Sequence, residues 1–185
     1  MDNTKSSKKL KTTDLVYIAL SAVIIAVLSW ISIPATVPFT LQTFAVFAVI
    51  GIIGGKRGTF AVIVYILLGA VGVPVFAGFS GGIGVILGST GGYIIGFIFI
   101  GLICWMTEIL VSKSLPARIV SMVLGLIVCY AFGTAWFMTV YARQTGAIGL
   151  GTALSWCVIP FIIPDLIKMA LAILISERIK KAIKL

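Results

Sequence analysis

The sequence predicts an all-α integral membrane protein with six transmembrane helices, cytoplasmic N- and C-termini and glycine-rich outer loops. Of its 185 residues, 61% are hydrophobic and only 10% are charged, whereas soluble domains average about 45–50% and 25%. Six apolar segments follow one another, and the basic residues collect on one side of the resulting topology. We therefore expect a single transmembrane domain over residues 1–185.

Six apolar segments are predicted to cross or enter the membrane. A bilayer core of about 30 Å requires about 20 helical residues, and fewer where a segment is broken or buried by protein. The second segment would rise only about 20 Å, so it must be tilted or covered by its neighbours. The predicted spans are approximately residues 14–33, 41–53, 59–71, 91–111, 119–141 and 156–176.

Helix-breaking residues and polar residues mark the boundaries between these segments. Pro34 ends the first segment, and the turn 54–58 joins the second to the third. A turn around Pro116 joins the fourth to the fifth, and Arg143 begins the linker to the sixth. Glu108, near the end of the fourth segment, is expected to reach towards the membrane interface.

The basic residues are concentrated on the predicted inner side. With the N-terminus inside, twelve Lys and Arg residues lie inside, Arg143 lies outside, and Lys168 lies within the sixth span. Such an excess is typical of cytoplasmic segments that face anionic lipid. Nucleic-acid binding is not expected, because no basic face is interleaved with aromatic residues. The twelve are Lys5, Lys8, Lys9 and Lys11 in a basic N-terminal tail (residues 1–12), Lys56, Arg57, Lys113 and Arg118 in the turns, and Arg178, Lys180, Lys181 and Lys184 at the C-terminus.

Three outer linkers have unusual backbone composition. Residues 72–92 are too apolar for an aqueous linker and too rich in glycine for a stable helix. Irregular apolar backbone is tolerated at a membrane where it is buried in protein or lines a cavity. We expect it to converge with residues 34–43 and with the linker after Arg143, and to cover a small-molecule pocket.

Small residues at four-residue spacing predict close helix contacts. Such spacing lets a second helix approach closely, either within the same bundle or in a partner protein. Internal packing is the simpler alternative for the set in the first segment. Gly88, Gly92 and Gly96 have this spacing around the fourth segment, and Ala22 and Ala26 have it in the first, where Ala19 extends the same stripe.

The sixth span contains the two ionisable residues that most strongly suggest a binding site. Asp165 and Lys168 are three residues apart, so on a helix they share a face. Ionisable groups are costly in hydrocarbon and occur where they line a cavity or meet a partner. Pro164 is best tolerated in the first helical turn, so the regular part of the span is expected to begin there. Alternatively, the pair only neutralises itself between helices.

The sequence offers little catalytic chemistry, and no enzyme activity is expected. It has no histidine, no paired catalytic carboxylates and no phosphate-binding G-x-x-x-x-G-K-[ST] motif. Cys104, Cys129 and Cys157 lie in apolar segments without CxxC spacing, so they are expected to be small buried hydrophobes. No metal site and no cofactor are predicted. A membrane pocket without a motor implies facilitated diffusion or a partner that supplies energy.

Four stretches carry a resemblance to a known family: V-P-F-T-L-Q-T-F-A-V (37–46), G-G-K-R-G (54–58), L-L-G-A-V-G-V-P-V-F-A-G (67–78) and G-S-T-G-G-Y-I-I-G-F (88–97). They resemble the BioY family, the biotin-binding S components of energy-coupling factor transporters. The resemblance implies a six-helix fold with a vitamin pocket near the outer face. It also implies a transmembrane coupling protein and two cytoplasmic ATPases as partners. Pro164 and Phe79 stand where family members commonly have glycine and a small residue.

The resemblance implies biotin as the ligand and suggests a role for each candidate residue. Asp165 would accept hydrogen bonds from the ureido N–H groups, and Lys168 would donate to the ureido oxygen or neutralise the carboxylate. The Ala19, Ala22 and Ala26 stripe would contact the coupling protein. The secondary polar contacts would be Gln42, Thr43, Ser80 and Ser89; the walls would be Phe39, Phe79, Tyr93 and Trp136, unless these four aromatic side chains only pack against lipid or protein.

The chain is therefore expected to be the substrate-capture subunit of an ATP-driven vitamin importer in a prokaryotic cell membrane. Two alternatives stay open. One is a solitary facilitator that moves biotin without ATPases. The other is a non-transporting membrane scaffold, which would bind no small molecule.

Overall fold

The computed structural model describes residues 11–34 and 36–183, without the side chain of residue 183. Most of the predicted basic tail, including Lys5, Lys8 and Lys9, lies outside the described residues, as does Lys184. The described chain forms eight α-helices, a two-stranded antiparallel hairpin that pairs Ser32 with Thr40, and a 3-10 turn at Ala77–Phe79. The elements are α1 (Thr12–Trp30), β1 (Ser32–Ile33), β2 (Phe39–Thr40), α2 (Gln42–Ile53), α3 (Gly55–Ala70), α4 (Ile83–Leu87), α5 (Gly91–Leu110), α6 (Leu115–Thr145), α7 (Leu150–Cys157) and α8 (Ile159–Ile183).

Four helical stretches in the described chain are long and apolar enough to cross a membrane, which confirms the predicted helical membrane class. They are α1, α5, α6 and the continuous stretch Leu150–Ala182, which contains α7 and most of α8. The 12 residues of α2 rise only about 18 Å, and α3 has 16 residues. Helix length therefore supports four of the six predicted spans, and the two short helices fill the space between them.

The turn between α2 and α3 is shorter than predicted, because α3 already begins at Gly55. The N–H of Gly55 donates to both carboxylate oxygens of Glu108, at 2.9 Å each. An acidic side chain at a helix N-terminus compensates the free N–H groups and the positive end of the helix dipole. Glu108 therefore caps α3, and its reach towards the membrane interface stays a prediction. Gly54 supplies the reversal with a φ of +86°, a conformation that favours glycine.

The last predicted span is divided differently from the prediction. α7 ends at Cys157, Val158 leaves the helical conformation (φ −126°, ψ −57°), and α8 begins at Ile159. The prediction that regular helix begins at Pro164 is therefore wrong, because Pro164 lies inside α8. Pro160 occupies the first turn, where its missing N–H leaves no hydrogen bond unmade. Pro164 removes only the single bond to the carbonyl four residues earlier, at residue 160.

Glycines bring α5 and α6 into close contact. A Cβ added at Gly96 would lie 2.7 Å from Cys129 Sγ, and one at Gly125 would lie 2.8 Å from Ile100 Cα. Gly92 faces the Trp136 side chain in the same way. The predicted close approach is confirmed at Gly92 and Gly96, which face α6.

The alanine stripe of α1 is mostly internal. Ala22 and Ala26 are 1% and 6% exposed, and α1 packs against α2 and α3. Ala19 is exposed. Ala22 and Ala26 therefore serve the internal packing that was left open as the alternative, which corrects their assignment to a coupling-protein surface.

The two ends of the bundle differ in chemistry, and we call them the basic end and the loop end. At the basic end, Asp14 pairs with Arg57 at 2.6 Å and Arg118 pairs with Glu177. At the loop end, the indole N–H of Trp30 donates to the Pro74 carbonyl over 2.8 Å. The hairpin, the 72–92 stretch and the linker before α7 all lie at the loop end. Their predicted convergence is confirmed.

Candidate functional site

A cavity of about 120 Å³ lies at the loop end, between the hairpin, the 72–92 stretch and helices α2, α5, α6 and α8. Residues from the starts of α2, α5 and α8 and from the middle of α6 line it. Apolar side chains form much of its wall, including Val37, Phe76, Val85, Ile94, Phe97 and Phe161. Polar groups converge on the same space, among them Thr40, Gln42, Thr43, Ser80, Thr90, Tyr93, Tyr130, Asp165 and Lys168. An apolar cavity with a few placed polar groups is typical of a small-molecule site.

Asp165 and Lys168 form a buried ion pair on the cavity wall. The two residues are 4% and 6% exposed, and Lys168 Nζ donates to Asp165 Oδ1 over 2.9 Å. Lys168 Nζ also lies 4.1 Å from the ring centre of Phe39, a position that favours a cation. The pair is thus neutralised within α8, as one alternative proposed, yet it also faces the cavity.

Tyr130 is a third member of this cluster, and the sequence analysis missed it. Its hydroxyl, on α6, donates to Asp165 Oδ2 over 2.7 Å. Its signal was a tyrosine near the middle of the predicted fifth span, where a hydroxyl in hydrocarbon requires a partner. The partner could not be identified from sequence spacing, because Tyr130 and Asp165 are 35 residues apart and meet only when α6 and α8 pack together.

Two predicted polar residues at the start of α2 are buried at the cavity. Gln42 and Thr43 are 6% and 9% exposed. The Gln42 side-chain amide donates to the Tyr65 hydroxyl over 2.6 Å, and Tyr65 is fully buried. The hydrogen bond to Tyr65 therefore holds the Gln42 side chain in one orientation in the absence of a ligand.

Ser80 and Tyr93 also reach the cavity, as predicted. The Ser80 hydroxyl donates to the Ala77 carbonyl over 2.7 Å, and its own carbonyl accepts from the Phe76 N–H. The Tyr93 hydroxyl lies 3.0 Å from Thr134 Oγ1.

Four predicted ligand contacts do not line the cavity: the predicted polar contact Ser89 and the predicted wall residues Phe39, Phe79 and Trp136. Of these, only Phe39 adjoins the site, through its contact with Lys168. Phe79 is 63% exposed and stacks on Trp30, with ring centres 5.0 Å apart. The Trp136 indole donates to the Gly88 carbonyl over 2.9 Å, so it fastens the turn before α5. Ser89 lies in that turn. Aromatic residues near a membrane surface have several uses, and sequence alone did not distinguish them.

The glycine-rich stretch is fastened to the end of α1 where it forms part of the cavity wall. Ser29 donates to the Val75 carbonyl, and Trp30 donates to the carbonyl of Pro74. Phe76 packs edge-on against Tyr65, with ring centres 5.4 Å apart. Four positive φ angles, at Gly72, Gly78, Phe79 and Gly82, allow this folded path.

The three cysteines are buried, and two of them lie at the cavity. Cys104, Cys129 and Cys157 are free and buried, and the latter two lie on the cavity wall. Within residues 11–34 and 36–183, no three His, Cys, Asp or Glu side chains come together as a metal site. The expected lack of a cofactor stays a prediction.

Comparison with known proteins identifies the family. A model of the BioY family matches residues 3–185. The chain is 44% identical over 163 residues to the biotin transporter BioY of Thermotoga maritima, covering 85% of this chain and 90% of that protein. It is 38% identical over 172 residues to the probable biotin transporter BioY of Pyrococcus horikoshii, covering 92% and 98%.

A solved structure is similar over nearly the whole fold. It is described as the S-component for biotin from an ECF-type ABC transporter, and it matches with a TM-score of 0.79 and 27% identity. The match covers 94% of this chain and 95% of that one. With its family match and its four long apolar helices, this multi-pass membrane protein belongs to the BioY family.

Proposed function

We propose that this chain is the biotin-binding, substrate-capture subunit of an ATP-driven ECF vitamin importer. The observation that carries the proposal is the buried Asp165–Lys168 pair on the wall of an otherwise largely apolar cavity. Relatives over most of the chain are named as biotin transporters, and the similar solved structure is described as an S-component for biotin. Transport also agrees with the expectation that the chain is not an enzyme.

The charge of the ion pair favours recognition of the ureido ring over the carboxylate of biotin. Lys168 is already paired with Asp165 at 2.9 Å, so the pair is neutral overall. A ligand carboxylate placed against Lys168 would add an uncompensated negative charge to a buried site. The ureido ring is neutral and offers N–H donors beside a carbonyl acceptor. Asp165 would accept from the N–H groups, and Lys168 would donate to the oxygen.

The proposed orientation places the loop end outside and the basic end in the cytoplasm. Lys56, Arg57, Lys113 and Arg118 then lie on the inner side, as the positive-inside rule requires. With α2 and α3 counted as short spans, the single transmembrane domain has six of them and both termini are cytoplasmic. Biotin would enter from the side that the 72–92 stretch and the hairpin cover.

Energy for import would come from partners, namely a transmembrane coupling protein and two cytoplasmic ATPases. The sequence has no phosphate-binding loop of its own. Since Ala22 and Ala26 are buried, a coupling contact on α1 would use exposed residues such as Ala19 or would require the helix to move. Uptake by cells that lack every coupling subunit would indicate the solitary facilitator instead.

A binding titration tests the proposed function. Purified protein titrated with biotin is expected to show saturable quenching of tryptophan fluorescence at micromolar ligand or below. Asp165→Asn and Lys168→Ala should each weaken binding by about 100-fold, since charge-assisted hydrogen bonds in a dry site are lost. Arg143→Gln, in the last turn of α6 and away from the cavity lining, serves as the control. Absence of binding by the unmodified protein would contradict the proposal and favour the scaffold.

A further inference from the structure

Tyr130 lines the cavity from α6, and its hydroxyl is hydrogen-bonded to the ion pair on α8. Its hydroxyl donates to Asp165 Oδ2, while Lys168 Nζ donates to Oδ1 of the same carboxylate. Tyr130 belongs to α6, which packs mainly on α5, whereas α8 packs mainly on α2. The bond therefore connects two helix pairs at the cavity that both of them line.

The two donors fix the direction in which the carboxylate presents its remaining lone pairs. An ionised carboxylate has two oxygens with about four acceptor positions. Lys168 occupies one position and Tyr130 another, on different oxygens. Rotation of the carboxylate group would break both hydrogen bonds, and one position on each oxygen is left for a ligand.

The two donors differ in how firmly they hold Asp165. Lys168 is on the same helix and has a flexible four-carbon stem, so ammonium and carboxylate can turn together. Tyr130 holds the carboxylate from a different helix through a rigid ring with two rotatable angles. It also adds a hydrogen bond without adding a charge, so the neutrality of the pair is kept.

We propose that Tyr130 is a positioning residue that sets the orientation of Asp165 towards the N–H donors of the ligand. The inference rests on the proposed biotin-binding function and names a residue through which that site obtains its affinity. Hydrogen bonds weaken steeply when they are misaligned, so a carboxylate free to turn would bind the ureido N–H groups less tightly. Tyr130 acts on the ligand through Asp165.

A double-mutant cycle tests this dependence. Biotin affinity would be measured by isothermal titration for the unmodified protein, Tyr130→Phe, Asp165→Asn and the double variant. Tyr130→Phe is expected to weaken binding by about 10-fold or more, because a hydrogen bond to a charged group is lost from a buried site. In the presence of Asp165→Asn, the same change should alter the residual affinity by less than about threefold, because no ionised carboxylate is left to orient.

Two controls separate positioning from general effects of removing a hydroxyl. Tyr141→Phe, on the same helix, removes a hydroxyl from a ring that stacks on Phe137 and does not line the cavity; its affinity should be unchanged. The loss caused by Tyr130→Phe should persist with biotin methyl ester, whose ureido ring is intact. A loss that disappears with the ester would place Tyr130 at the tail carboxylate and overturn the proposal.

Other results of the double-mutant cycle would refute either the positioning role of Tyr130 or the proposed function. Unchanged affinity in Tyr130→Phe, or an equal loss with and without Asp165→Asn, would overturn the positioning role. Absence of binding by the unmodified protein would instead contradict the proposed function. If Tyr130→Phe does not fold, 3-fluorotyrosine at position 130 keeps the ring and donates more strongly. It should then change the affinity only where Asp165 is intact, and unchanged affinity would again refute the inference.

Discussion

Two kinds of ion pair occupy different regions of this bundle. At the basic end, Asp14–Arg57 joins α1 to α3 and Arg118–Glu177 joins α6 to α8. At the cavity, Asp165 and Lys168 stand three residues apart on one helix, with side chains 5% and 8% exposed. The basic-end pairs connect different helices and are partly open to their surroundings. The salt bridge at the cavity lies within α8, and the Tyr130 hydroxyl links its carboxylate to α6.

This difference distinguishes ion pairs that hold helices together from an ion pair that is placed to bind a ligand. An ion pair between helices can hold two elements together, although a partly exposed pair contributes only about 0–1 kcal/mol. A salt bridge within one helix does not itself join two helices, and the desolvation cost of a buried pair can exceed its Coulombic gain. Its position on a cavity wall therefore points to a ligand. This contrast is the physical basis of the proposed function.

The largest expected effect comes from breaking the cavity pair one residue at a time. Asp165→Asn or Lys168→Met alone should destabilise the protein by roughly 3–5 kcal/mol, because each leaves an uncompensated buried charge. The double variant should recover stability close to that of the unmodified protein while binding no biotin. Thermal unfolding in detergent, measured beside a biotin titration, checks both expectations. A double variant less stable than either single variant would show that the pair holds the fold.

A smaller effect is expected at the helix contact behind the cavity. Gly96→Ala places a Cβ 2.7 Å from Cys129 Sγ, and such overpacking should cost about 1–3 kcal/mol. Gly84→Ala is the matched control, because a Cβ there meets no atom within 4 Å. It should stabilise α4 by up to about 1 kcal/mol through helix propensity. Thermal unfolding of both variants is the measurement, and equal shifts would refute the close packing of α5 on α6.

The smallest effect is expected from the basic end. Glu177→Gln removes the partner of Arg118 and should lower stability by no more than about 1 kcal/mol, with biotin affinity unchanged. Added salt should reduce the difference between this variant and the unmodified protein, because exposed charges are screened. A tenfold change in affinity would mean that the basic end is coupled to the cavity and also takes part in recognition.

Much of the architecture could be predicted because hydropathy and charge act on single segments. The four long spans needed only their apolar length, and each glycine or proline break changed the backbone locally. Asp165 and Lys168 were identifiable because a three-residue spacing fixes their proximity on any helix. The start of α8 was misplaced because Pro164 alone cannot show that a helix already begins at Ile159.

Contacts between distant segments were harder to predict. Phe79 and Phe76 both lie in the glycine-rich stretch, yet Phe76 reaches the cavity while Phe79 stacks on Trp30. The positive φ angles of that stretch decide which ring faces inward. Likewise, a small-residue stripe predicts a close contact but not the identity of the other helix. Ala22 and Ala26 turned out to pack inside the chain.

The sequence by itself determined the helical membrane class, the polar pair in the last span and the glycine-rich linkers, because hydrophobicity, charge and backbone freedom belong to individual residues and short spacings. Only the tertiary structure decided that Tyr130 meets Asp165, that Glu108 caps α3 and that Trp136 fastens a turn. These pairs are separated by 35 to 53 residues. Their meeting depends on how whole helices pack, and no local pattern encodes that packing.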